Sequence, residues 1–376
     1  IDVADPGMSD FEPLYLRLAQ VGPSGDVAFT AETAFVLDGF FFSDFVSGVI
    51  PRERVGEREA LAFARTGMPI NGAAPLTFEP FPPPLRPPSF TPPTMTRVGR
   101  TGGALISGTI GGADGTLATG LLRPGVGPIV LPASCDDPPA TIAAGYAGVA
   151  NNRRFVLTDD GRTLALATRG CVSDIGFDRA VVEERAGHVT EFLAPGDPAP
   201  GAPGETVGLI RLADFNRAGQ VAIIGGIDDP EGSLSGITPT IWTGTPGALS
   251  ILVRSGDPAP GIEGEVFMLS DRRGSGDAKD VAIHSDGEVS FIARTNVSQR
   301  GAYRTVEGAP VLIARNGDPA PGTSGFFDSI SAVNTFLEPA GPDATAIITV
   351  WRTTPQDTGG RPGGGGGGGG GQGREV

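Results

Sequence analysis

The hexapeptide Gly-Asp-Pro-Ala-Pro-Gly occurs three times, at residues 196–201, 256–261 and 317–322. Its aspartates stand at 197, 257 and 318, steps of 60 and 61 residues. A near-constant period of that size marks a supersecondary unit copied along the chain, and it narrows the folds open to the sequence more than any other feature. Weaker copies extend the period upstream, at Asp5-Pro6-Gly7, Thr66-Gly67-Met68-Pro69 and Cys135-Asp136-Asp137-Pro138. Taking 5, 67, 136, 197, 257 and 318 as junctions gives six units.

A second signature sits between the junctions, a hairpin of the form Asn-x-x-Gly followed by an apolar run. Its clearest copy is Asn216-Arg217-Ala218-Gly219-Gln220-Val221-Ala222-Ile223. The corresponding glycines are Gly25, Gly102, Gly161, Gly219, Gly287 and Gly341. This chemistry predicts a type I turn closed by a left-handed residue. A small polar side chain at the start bonds backbone further on, and glycine takes the positive φ at the end cheaply. Four short strands per unit follow from the apolar runs. In the fourth unit they are Thr206–Asp214, Gln220–Gly226, Thr238–Thr243 and Leu249–Arg254. In the fifth they are Val266–Ser270, Glu288–Arg294, Ala302–Val306 and Pro310–Arg315.

Helical periodicity is absent from these stretches. The expected fold is therefore all-β, a β-propeller of about six four-stranded blades over residues 1–355. Ile1-Asp2-Val3-Ala4 is similar to Val311-Leu312-Ile313-Ala314, which precedes a junction. The N-terminal strand is thus expected to close the last blade and leave no free sheet edge. Residues 356–376, with nine consecutive glycines at 363–371, read as a flexible tail. Two units carry insertions, the proline-rich stretch 80–93 and the charged stretch 271–280.

Composition enters mainly through what it excludes. A formal net charge of −15 argues against nucleic acid as a partner, which calls for a basic face. No apolar run is long enough to span a bilayer, so membrane insertion is not expected. The first residue is isoleucine, which reads as a processed, excised or incomplete chain. The two cysteines, Cys135 and Cys171, fit one disulfide in an exported protein or two buried thiols in a reducing compartment. The disulfide is the favoured pairing, and closing that loop would contribute about 3–4 kcal/mol.

Alternating Asn-x-x-Gly-x-x-Ala hairpins and Gly-Asp-x-Ala-Pro-Gly junctions resemble the secreted bacterial tandem-repeat proteins described as choice-of-anchor proteins. The resemblance spans nearly all of residues 1–355 and is strongest at the three full junctions. It implies an extracellular or cell-surface location and supplies no active site. The tail ends in Arg374-Glu375-Val376 without an apolar anchor, a departure from that pattern.

Asp197, Asp257 and Asp318 are the leading site candidates. An aspartate before proline caps a turn with its carboxylate, which accounts for the motif by itself. The functional alternative is a calcium site, with Glu205, Glu263 and Glu265 as further oxygen ligands. The acidic stretch Asp228-Asp229-Pro230-Glu231-Gly232 lacks the alternating spacing of a calcium loop. His188 and His284, the two histidines, fall in different units and lack the paired spacing of a metal site. Asp357-Thr358-Gly359 is a single copy of a triplet that aspartic proteases need twice. Thr158–Thr163 resembles the Asp-box turn of sialidases, without the arginine cluster and tyrosine nucleophile those enzymes use. The favoured function is an exported binding scaffold that presents a protein or glycan ligand site on a propeller face. The alternative is a metal-dependent hydrolase or lactonase-like enzyme with its site in a central channel.

Overall fold

The computed structural model describes residues 2–3, 15–21, 27–37, 40–50, 59–65, 77–78, 95–98, 104–111, 117–123, 127–130, 146–149, 155–169, 179–186, 188–228, 236–269, 281–297, 300–319, 325–327, 330–334, 347–350 and 353–355. Every regular element among them is a β-strand. The strands form successive, mainly antiparallel sheets in chain order, one for each of the first five repeat units and two short ones for the sixth. The fourth sheet shows the module intact: Val207–Phe215, Val221–Asp228, Ile237–Thr245 and Ala248–Arg254, each paired with the next. These bounds match the expected strands to within two residues.

Period-two alternation decides what each sheet buries. In the fourth sheet, Val221, Ile223, Ile227 and Trp242 pack against Val156, Leu164, Leu166, Val181 and Leu193 of the third. The opposite face, Ala222, Ile224, Ile241 and Val253, packs against Phe267, Val281, Val289, Phe291 and Tyr303 of the fifth. Phe267, Phe291 and Tyr303 form an aromatic cluster there, with Phe291 and Tyr303 stacked at 5.3 Å between centroids. The second strand of the module is buried on both faces, whereas the fourth alternates toward solvent. A sheet covered on both sides reads as a near-continuous apolar run, as Val221–Ile227 does.

Glycine serves close approach at Gly225. A Cβ there would stand 2.3 Å from the Leu209 carbonyl oxygen and 2.9 Å from the Trp242 ring, so the bulk of Trp242 is accommodated by its absence.

Two expectations need correction. The first strand of the module is not continuous in the fifth unit. It is split into Phe267–Met268 and Val281–Ile283, both paired with Val289–Thr295. The N-terminal segment does not close the last sheet either. Asp2 and Val3 pair in parallel with Glu59 and Ala60, the outer strand of the first sheet. An outer strand presents an unpaired row of N–H and C=O groups, and the segment satisfies the Glu59–Arg65 edge. The sixth unit pairs Gly325–Phe327 with Thr353–Pro355, and Ile330–Asn334 with Ile347–Val350. Cys135 and Cys171 lie outside the described residues, as do residues 80–93, 271–280 and 356–376.

Candidate functional site

The three junctions fold alike. Asp197 N–H donates to the Ala194 carbonyl at 3.1 Å, Asp257 N–H to Arg254 at 3.0 Å and Asp318 N–H to Arg315 at 3.1 Å. Gly196, Gly256 and Gly317 hold φ values of +90°, +97° and +88° at the third position of those turns, the signature of a type II turn. Each aspartate then returns the bond. Ala194 N–H donates to Asp197 Oδ2 at 2.8 Å, Arg254 N–H to Asp257 Oδ2 at 2.7 Å and Arg315 N–H to Asp318 Oδ2 at 2.9 Å. The next unit is tied to the same turn: Val207 N–H donates to Asp197 O, Phe267 N–H to Asp257 O and Phe327 N–H to Asp318 O, at 2.8 to 2.9 Å. The motif is thus a clasp joining the last strand of one sheet to the first strand of the next.

Two of the three glutamates considered as extra ligands, Glu205 and Glu265, face arginines. Glu205 pairs with Arg254 at 3.0 Å, and Glu265 lies 3.8 Å from Arg315. Among the described residues, no three His, Cys, Asp or Glu side chains converge as a metal site would require. Asp228 Oδ2 accepts from Thr206 Oγ1 at 2.9 Å, while residues 229–235 lie outside the described set. Residues 357–359 lie outside it too.

The Asn-x-x-Gly turns form a second row. Thr158, Asn216 and His284 occupy equivalent positions, each donating its N–H to the residue four later, Arg162, Gln220 and Glu288. Gly161, Gly219 and Gly287 close the turns at φ values of +84°, +83° and +91°. Neighbouring turns bond to one another: Asp159 N–H reaches the Arg217 carbonyl at 2.8 Å, and Asn216 Nδ2 reaches the His284 carbonyl at 2.7 Å. The Asp-box-like stretch is one of these turns.

His284 is only 2% exposed, and its Nε2 lies 2.8 Å from Ser290 Oγ, equally buried. The pair is closed to any substrate, so it is not catalytic. His188 opens an outer strand and is exposed. Burial first, then the Arg304 cation, pushes the His284 imidazole below its ordinary pKa, while Asp286, Glu288 and Asp214 pull the other way. The unfolded chain therefore takes up this proton at a higher pH than the folded one. The stability linked to neutral His284 is complete above about pH 6.5 and is lost as pH falls below it. His284→Asn, which installs the residue found at position 216, is expected to flatten that dependence. Wild type should lose up to about 1.4 kcal/mol more per pH unit than the variant below pH 6.5. Urea unfolding at pH 5, 6 and 7 measures it, and parallel pH profiles for the two proteins would refute the assignment.

Sequence reasoning missed a third feature. In the first and fourth sheets, the first strand carries a register shift between Leu16 and Leu18, and between Ile210 and Leu212. In the second, third and fifth sheets the strand breaks at that same level. Thr77–Phe78 and Met95–Val98 both pair with Ala104–Gly111. Tyr146–Val149 and Phe155–Leu157 both pair with Thr163–Arg169. Counted from the hairpin glycine, these shifts and breaks in the first five sheets fall opposite positions five to seven of the second strand, around Ile224–Gly226 in the fourth sheet. A bulge already leaves a residue unpaired, so added chain enters there at least cost to the ladder. Residues 79–94, 150–154 and 269–280 are all inserted at this point.

With this repeat geometry in view, comparison with known proteins gives one decisive result. The profile of a family of unknown function, DUF7453, matches residues 21–341. The chain belongs to that family. The DUF7453 match runs from the first hairpin to the sixth and so takes in the clasps and turns described above. No curated protein matches. Among solved structures, the chain is similar to an alpha-L-arabinanase from Penicillium chrysogenum complexed with arabinobiose. Identity is 16%, covering 88% of this chain and 87% of that one, with a TM-score of 0.31. It is also similar to a hypothetical protein from Leishmania major at 13% identity, covering 83% of this chain and 91% of that one, with a TM-score of 0.23. Scores this low carry no argument about activity. Among the described residues, no helix is long and apolar enough to cross a membrane.

Proposed function

We propose that this DUF7453 chain is an exported binding scaffold. Its six units are arranged as blades of a propeller, and the loops inserted into the first strands form the surface that takes a protein or glycan ligand. The observation that carries the reading is the shared insertion point. Units whose added sequence differs in length and chemistry, proline-rich at 79–94 and charged at 269–280, break their first strand within three neighbouring positions of the second. Variable loops raised from one level of a rigid scaffold are a common route to a binding surface. The polar groups of the repeat support the same reading, because the junction aspartates and the Asn216 amide serve backbone and neighbouring turns. Calcium at Asp197, Asp257 and Asp318 remains a proposal, and it requires the ion to share carboxylates that already accept N–H bonds.

The test replaces residues 80–93 with Gly-Ser and screens parent and variant on glycan and secreted-protein arrays. Surface loops are lost at little cost, so the variant should melt within about 2 °C of the parent. Its array profile should lose ligands that the parent binds. An unchanged profile, or a variant that unfolds, counts against the reading. A melting temperature raised by calcium and restored by chelator would support the ion.

A further inference from the structure

Position 303 repeats position 242 one unit later. Each lies on the third strand of its sheet, opposite the fourth residue after the hairpin glycine. Trp242 pairs with Ile223, and Tyr303 pairs with Phe291. Both rings are buried against the preceding sheet. Each also uses a glycine in the neighbouring cross-strand pair, on opposite strands. For Trp242 that pair is Gly225 and Thr240; for Tyr303 it is Ala293 and Gly301, where a Cβ would stand 2.9 Å from the Tyr303 hydroxyl. The two units part at the polar end of the ring. Trp242 Nε1 donates to the Pro200 carbonyl at 3.1 Å, in the clasp that leads into its unit. Tyr303 is 1% exposed, yet its hydroxyl finds no hydrogen-bond partner among the described residues. Glu265 Oε2 is buried and unpartnered in the same way. Glu205 and Glu265 are equivalent, since their carbonyls accept the Ala199 and Ala259 N–H at 2.9 Å. Glu205 closes its ion pair with Arg254 at 3.0 Å, whereas Glu265 Oε1 stands 3.8 Å from Arg315 Nη1, beyond hydrogen-bond reach. Burial first, then the Glu265 carboxylate, raises the pKa of the Tyr303 hydroxyl to about 12, and the Arg315 cation pulls the other way. The three groups therefore act on one another in one enclosed place.

We infer that an ordered internal water bridges Tyr303, Glu265 and Arg315 between the fourth and fifth sheets. It accepts one hydrogen bond from the Tyr303 hydroxyl and one from the Arg315 guanidinium, and it donates to Glu265 Oε2. Donor and acceptor chemistry selects water for this place. The protonated phenol has a hydrogen to give, the guanidinium only donates, and the carboxylate only accepts. A water satisfies all three at once, and three bonds is the usual number for a buried one. Opposite charges held more than 3.5 Å apart also leave the gap into which a bridging water fits. A cation is disfavoured, because the Arg315 guanidinium already faces that carboxylate. Leaving the hydroxyl and the carboxylate oxygen bare in the interior would be costly. The bridge does for the fifth unit what the indole N–H does for the fourth: it ties the third strand to the clasp before it. The inference does not depend on ring closure or on the inserted loops.

The direct test is a high-resolution crystal structure of the full chain, as wild type and as Tyr303→Phe. The expected result is a water within about 3.2 Å of both Tyr303 Oη and Glu265 Oε2. In the phenylalanine variant that water should be lost or displaced. Urea unfolding gives an independent reading in solution. Tyr303→Phe and Glu265→Gln should each lower the folding equilibrium constant about fivefold. Combined, they should lower it by clearly less than the product of the two, because either one breaks the bridge. Both substitutions keep the size of the side chain, and circular dichroism should confirm that each variant is folded. The proposal is overturned by a direct bond between Tyr303 and Glu265, by a hydroxyl bonded to another protein group, or by a site without water density. Effects that simply multiply in the double variant would overturn it as well.

Discussion

Trp242→Ala is expected to lower the unfolding free energy by about 3–5 kcal/mol, the largest effect of any single substitution considered for this chain. The indole is fully buried between the third and fourth sheets, in one cluster with Leu166, Val207, Phe215 and Ile223. Truncation leaves a cavity whose walls belong to strands fixed on both sides, so little collapse can offset the lost packing. It also removes the Nε1–H bond to the Pro200 carbonyl, 3.1 Å long, which couples the third strand of the fourth unit to its own clasp. Trp242→Phe keeps a ring in place and should cost about half as much, through the lost bond and the smaller volume. Urea unfolding followed by circular dichroism separates the three proteins. An alanine variant within about 1 kcal/mol of wild type would mean that the two sheets are not packed through this residue.

Much of the module was legible because local chemistry and global period agree. Gly161, Gly219 and Gly287 take the positive φ that the hairpin pattern requires, and the fourth-unit strands fall where the apolar runs place them. The clasp was half legible. Asp-Pro announces a capped turn, but the return bond from the residue three before the aspartate is visible only in three dimensions. The split first strand was missed, because a strand interrupted by added chain looks like a short strand followed by a loop. A signal was available: the insertions end at Pro93 and Asp280, nine and seven residues before Gly102 and Gly287, just enough for the remaining half-strand. The placement of Ile1–Ala4 was misread for a different reason. Similarity to Val311–Ala314 reports strand character, and strand character does not say which open edge the segment joins.

The histidine at 284 shows how far the repeat tolerates change. Asparagine at 216 bonds the Gln220 N–H through its own Oδ1 at 2.9 Å, whereas His284 turns its ring inward to Ser290. The fifth turn keeps its backbone bond to Glu288 and its left-handed glycine. Backbone geometry therefore carries the turn, and the first side chain sets what lies beneath it.

The second large effect concerns the clasps. Alanine at Asp197, Asp257 or Asp318 leaves the N–H of Ala194, Arg254 or Arg315 without its carboxylate acceptor. Losing a capping acceptor of this kind costs about 1–2 kcal/mol. Asparagine keeps an oxygen at the same place and should cost only a few tenths. Asp318 also accepts from Arg315 Nε at 3.1 Å, and this partly exposed pair adds little.

The central claim is that one aspartate-clasped turn, used in the same way in successive units, joins each sheet to the next. The measurement that tests it most directly is urea unfolding of the six single variants, alanine and asparagine at 197, 257 and 318, in the presence of chelator. The account predicts a similar loss of about 1–2 kcal/mol for all three alanines and near-wild-type stability for all three asparagines. Asparagines as damaging as the alanines, or one position that answers unlike the other two, would contradict it.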